Sequence, residues 1–147
     1  MLPPDLIHTL ETASLPLALQ AILKHFDCQA GTYHTAKGDD LRLAASHQIP
    51  PQVIALIENV PIGKGIAGLA AQRKTPITIC NLQTDESGQA RPAAKNTGME
   101  GSLAVPALRV DGSLAGVLGI AKADAYDWSE TETTNVSAAA SVLAARS

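Results

Sequence analysis

The chain has 147 residues, 46% of them hydrophobic, and a net charge of −3, which suits one domain with a buried core and excludes a disordered segment. There is no basic block to meet a phosphate backbone, no apolar run near the ~20 residues that cross a bilayer, and no basic or apolar leader region in MLPPDLIHTLE. The expectation is therefore a cytoplasmic protein with neither a nucleic-acid nor a membrane partner. Cys28 and Cys80 stand alone, without metal or redox spacing, and read as small hydrophobes.

Pro4-Asp5 opens a short helix carrying Leu6, Ile7 and Leu10. A second helix starts at Ser14 to Pro16 and places Leu15, Leu19, Ile22, Leu23 and Phe26 on one face. Residues 28–35 and 41–49 read as a hairpin turning at Lys37-Gly38-Asp39-Asp40. In its second strand, alternation sets Leu41, Leu43, Ala45 and His47 on one face. His34 and His47 fall in this sheet region, with a surface or cross-strand role expected. Val53, Ile54, Leu56 and Ile57 form a short helix after Pro50-Pro51.

The segment VPIGKGIAG, residues 60–68, is a glycine turn leading into a helix over 66–72. A short strand spans 76–80. Residues 81–101 form a long polar loop with one helical turn near 92–96. Strands at 102–110 and 113–121 flank Asp111-Gly112, a hairpin signal. Pro106 inside the first predicts an edge position or a bulge. Ser129 and Glu132 form a capping box that starts a last helix with Val136, Ala140 and Leu143 in one stripe. Short turns between strands predict a mainly antiparallel α+β fold.

With PIGKGIAG before a helix, TPITICNL as the next strand, SLAVPAL, GVLGIAK and an acidic start to the last helix, the chain resembles the GAF family over about residues 14–145. The resemblance implies one GAF domain over 1–147: a six-stranded, mainly antiparallel sheet, terminal helices on one face and a ligand pocket on the other. Family members bind cyclic nucleotides, tetrapyrroles, haem, small anions or amino acids, and some only dimerise. Pocket positions matching the family are Ile66, Leu69, Ile79, Met99 and Leu103, with Asn81, Arg91, Lys95 and Ser102 as polar partners.

Arg91 and Lys95 are four apart, so one helical turn can aim both at a carboxylate or phosphate. Gly63-Lys64-Gly65 reads either as an anion cradle at a helix N-terminus or as a structural turn with a solvated Lys. Asn81, Asp85 and Glu86 do not make a divalent-metal set. Cyclic-nucleotide GAF domains carry N-K…F-x-x-x-D-E. Here Lys122 and Glu132 keep the internal ion pair that the motif implies, while Ala121, Trp128 and Thr133 depart from it. The aromatics are Phe26, Tyr33, Tyr126 and Trp128, none between 34 and 125, so nothing from Pro61 to Leu108, the segments the resemblance places around the pocket, can stack on a purine or tetrapyrrole.

The resemblance also reaches free-methionine-(R)-sulfoxide reductases, which need a cysteine in the segment matching 65–68 and more in the loop. Ala67 stands in that segment, and the loop has no cysteine. The expected function is thus not enzymatic. It is a sensory domain that binds a small molecule, non-aromatic or anionic, and acts through dimerisation and a separate signalling protein. The alternatives are a ligand-free interaction module and, disfavoured by its missing cysteines, the reductase. No cofactor is specified. The Leu6/Leu10 stripe and the Ala/Ser-rich last helix suggest a homodimer, since both otherwise leave apolar surface exposed.

Overall fold

A computed structural model describes residues 2–146, apart from the side chain of Ala93. Helix α1 (Pro4–Thr12) and helix α2 (Leu15–His25) precede the hairpin of β1 (Ala30–Lys37) and β2 (Asp40–His47). Ser14 caps α2 by accepting from Leu17 N–H, with Pro16 in the first turn, where its missing N–H has no helical partner to lose. Helix α3 (Pro51–Ile57), strand β3 (Asn59–Pro61), helix α4 (Gly65–Arg73) and strand β4 (Ile77–Ile79) follow. The long loop holds one turn, α5 (Pro92–Lys95), before β5 (Gly101–Leu108), β6 (Leu114–Lys122) and α6 (Glu130–Ala144). The Ser129–Glu132 capping box starts α6 as the spacing predicts.

The six strands form one sheet in the order β3-β2-β1-β6-β5-β4, antiparallel at every pairing. Strand β3 overlaps the start of the segment read from sequence as a glycine turn, and it extends the sheet by pairing Val60 with Leu41. Pro106 is in β5, between two strands. Strand β4 covers only Ser102 to Ala104, so Pro106 sits on a locally open edge and no ladder bond is lost there.

Helices α1, α2 and α6 cover one face. Their Leu10, Leu19, Ile22, Val136 and Leu143 pack with Tyr33, Val105 and Leu118 of the sheet. On the other face α4 packs with Leu41, Val60, Ile77, Ile79 and Val117. Leu41 and Ala45 stand on opposite faces, not on one. Tyr33 pairs with Ala45 and His34 with Leu43, so Ala44 is an extra residue in β2, and this bulge flips the alternation. His34 is buried at 2% exposure, not a surface residue.

The terminal-helix stripe is covered within the chain. Leu10 is fully buried, Leu6 packs on the helix-side core, and Arg146 donates to the Leu10 carbonyl at 2.8 Å. Exposed apolar surface there no longer argues for a dimer. Among the described residues, no helix is long and apolar enough to cross a membrane.

Candidate functional site

On the face away from the terminal helices lies a cavity of about 350 Å³. Its origin is legible in side-chain size. Strands β1, β5 and β6 send Tyr33, Leu103, Val105, Leu118 and Ile120 into the helix-side core. Toward the cavity they present Thr32, Ser102, Ala104, Gly119 and Ala121. Small floor residues leave space that Val53 and Ile57 of α3, Ile66 of α4, Leu82 and Met99 enclose from above. A cavity of this size, mostly apolar with a few polar groups, has the form of a small-molecule pocket.

The glycine segment builds one wall. A Cβ on Gly68 would lie 2.5 Å from the Pro61 carbonyl oxygen, so only glycine lets α4 approach β3 this closely. Gly65, at φ +69°, opens α4 at the cavity. The aliphatic stem of Arg91 crosses it, with Cδ 3.0 Å from where a Gly65 Cβ would stand. The Arg91 head is exposed, as is Lys64 beside it, and no side chain caps the first N–H groups of α4. Two cations and free helix N–H groups therefore meet at the rim, an arrangement that favours an anion.

Of the residues expected to bind ligand, Ile66, Arg91, Met99 and Ser102 line the cavity. The others stand elsewhere. Leu103, fully buried, faces the helix layer, because neighbours in a strand cannot share a face with Ser102. Ile79 and Leu69 belong to the packing between α4 and the sheet. Asn81 accepts from Gln83 N–H at 2.9 Å and shapes the loop. Lys95 donates to the Asp85 carbonyl at 3.3 Å. Gln83 ties the loop together by donating to the carbonyls of Lys95 and Met99.

The expected Lys122–Glu132 ion pair takes another form. Lys122 Nζ donates to the carbonyls of Phe26 and Asp27 at 2.9 and 2.8 Å, closing the C-terminal end of α2. It also lies 4.6 Å from the ring centroid of Tyr126. Glu132 accepts from the Tyr126 hydroxyl and from Ser129 N–H. Partial burial raises the Glu132 pKa, but these bonds and the Lys122 charge hold it below the usual value.

The sequence gives His34 a surface or cross-strand role, not a place at the cavity. This side chain lines the cavity, and its Nε2 lies 2.9 Å from the Ile57 carbonyl oxygen, an acceptor, so Nε2 carries the proton. Nδ1 then holds a lone pair, and it is buried with no hydrogen-bond partner. Burial lowers the His34 pKa, only partly opposed by the Ile57 bond, so the ring is neutral at pH 7. The usable signal was Tyr33: a large aromatic turned to the helix core sends its neighbour to the opposite face. Among the described residues no cluster of His, Cys, Asp or Glu could hold a metal ion.

A family model described as GAF domain matches residues 10–145. The chain belongs to the GAF family. Known GAF structures share its fold. The GAF domain of a phosphoenolpyruvate-protein phosphotransferase from Acinetobacter is 16% identical with a TM-score of 0.77, over 95% of this chain and 86% of that one. A free methionine-R-sulfoxide reductase from Neisseria meningitidis, solved with its substrate, is 17% identical with a TM-score of 0.78, over 97% and 84%. A type II enzyme of the same name from Thermoplasma acidophilum is 15% identical with a TM-score of 0.73, over 95% and 93%. Comparison with curated protein sequences gives no match. GAF domains thus include both regulatory modules and enzymes.

Proposed function

We propose that this GAF domain is a sensory module that binds a small, non-aromatic molecule in the cavity and passes the bound state to a separate protein. The observation that carries this reading is the cavity itself: about 350 Å³ walled by aliphatic side chains, with cations confined to its rim. Among the described residues no aromatic ring other than neutral His34 lines it, so a purine or tetrapyrrole has little to stack on.

A binding role fits better than reductase chemistry. Thiol chemistry needs a thiolate, and the chain has two cysteines, neither of which lines the cavity. Cys28 is packed against the helix-side core, where burial pushes its pKa up to about 11. Cys80 is exposed at the end of β4. Methionine sulfoxide is also an amino acid, and its ammonium group meets no carboxylate among the lining residues.

Ala67→Leu tests the site. Ala67 lines the cavity from α4, and leucine keeps the helix while filling the space. A small molecule released by denaturing the wild-type protein should be absent from Ala67→Leu of equal fold. The same molecule in equal amount on both proteins would place its binding outside the cavity.

A further inference from the structure

We infer that His34 is the latch of a separately opening wall: the hydrogen bond from its Nε2 to the Ile57 carbonyl holds α3 over the cavity, and α3 opens on its own when that bond breaks. The latch does not depend on what the cavity binds. Little else holds α3 in place. It is seven residues long, no side chain caps its start, and Val53 is its single buried side chain. A helix of that length does not persist alone in water. Val53, Leu56 and Ile57 line the cavity, so α3 spans a space floored by Thr32, Ala104 and Gly119 instead of resting on packed side chains. It packs mainly on α5, itself one turn of the long loop, and only slightly on any strand. Leu56 is 59% exposed. Segments with so few buried contacts open at a lower free energy than the whole domain.

The bond sits where it decides the position of α3. Ile57 ends the helix, so its carbonyl has no partner within it. Among the described residues, His34 Nε2 at 2.9 Å is the single hydrogen-bond donor from the sheet to α3. The next residue, Glu58, accepts from Leu43 N–H at 3.0 Å and stays with β2, so α3 pivots between Pro50 and Glu58. The imidazole is held in place by its surroundings. It stands on β1 between Leu43 and Val117, and Tyr33 before it is locked in the opposite core. Removing the donor leaves the Ile57 carbonyl unpaired at a partly buried position, and swinging α3 out to water is the nearest relief.

The test is amide hydrogen exchange of the full chain, followed by NMR at neutral pH, in wild type, His34→Leu and His34→Gln. The Ala55, Leu56 and Ile57 amides report α3, and those of Leu118 and Ile120 in the middle of the sheet report global unfolding. The Ala13 and Phe26 amides close the ends of α1 and α2 and report fraying that leaves His34 in place. In wild type the α3 amides should exchange at least about tenfold faster than the sheet amides. His34→Leu keeps the bulk and removes the donor. It should speed the α3 amides by roughly tenfold, the worth of one such hydrogen bond, with Ala13 and Phe26 unchanged. Glutamine carries an amide N–H at the reach of Nε2, so His34→Gln should recover most of the lost protection. Wild-type α3 amides as slow as Leu118 and Ile120 would show that the wall does not open separately. Equal α3 rates in wild type and His34→Leu, or His34→Gln behaving as His34→Leu does, would overturn the latch.

Discussion

Gly68→Ala separates two forces of opposite sign. Helix propensity alone favours alanine in α4 by about 1 kcal/mol. Against this, the new Cβ would sit 2.5 Å from the Pro61 oxygen and 3.1 Å from Gly63 N. Both are backbone atoms and cannot rotate away. They are also pinned, because Gly63 N–H donates to the Gly68 carbonyl at 2.8 Å and Ile62 N–H to the Asp39 carbonyl at 2.9 Å. Relief requires moving α4 from β3, so the overpacking cost belongs near the upper end of the usual range, about 3 kcal/mol. The net expectation is a loss of about 2 kcal/mol, a fall in Tm of roughly 6 °C for a domain of this size. Thermal unfolding by circular dichroism, with a urea titration for the free energy, reads it directly. A variant as stable as the parent, or more so, would refute the close contact of α4 on β3 and with it this wall of the cavity.

Other outcomes follow from the same contacts. The folded-state pKa of His34 lies below its ordinary 6.5. Its contribution to stability is therefore full above about pH 6.5 and lost as pH falls from there toward the folded-state value. The urea midpoint should drop over that interval, and His34→Gln should flatten the drop; an unchanged pH profile would contradict a buried neutral ring. Lys122→Met removes two bonds to carbonyls at the end of α2 and should cost about 2 kcal/mol. A double-mutant cycle with Glu132→Gln should give a coupling of about 0.5–1 kcal/mol, carried through Tyr126, which both side chains contact. A coupling above about 1 kcal/mol would restore the direct ion pair read from the motif.

Helix starts and strand pairs were legible because their signals are local. Ser14 and Ser129 sit where cap chemistry demands, and the β5–β6 hairpin follows from alternation and Asp111-Gly112. The misread features depend on distant partners. The Ala44 bulge is a property of the pairing between β1 and β2, so alternation within β2 alone could not place Leu41 and Ala45 on different faces. Strand β3 is three residues long and exists by its pairing with β2. At the site, Arg91 and Met99 were found because the loop folds over the cavity, whereas Asn81 and Lys95 satisfy the loop's own backbone. The cavity floor is made by small residues, and small residues carry no chemical signature in a sequence. Their pattern opposite Tyr33, Leu118 and Ile120 gains meaning only once the helix layer is placed.

Native mass spectrometry of the protein purified from cells, before and after denaturation, tests the binding role most directly. The account predicts a small non-aromatic molecule released from the wild-type chain and missing from Ala67→Leu of unchanged Tm. A wild-type chain that releases nothing, or a molecule retained equally by both proteins, would contradict it.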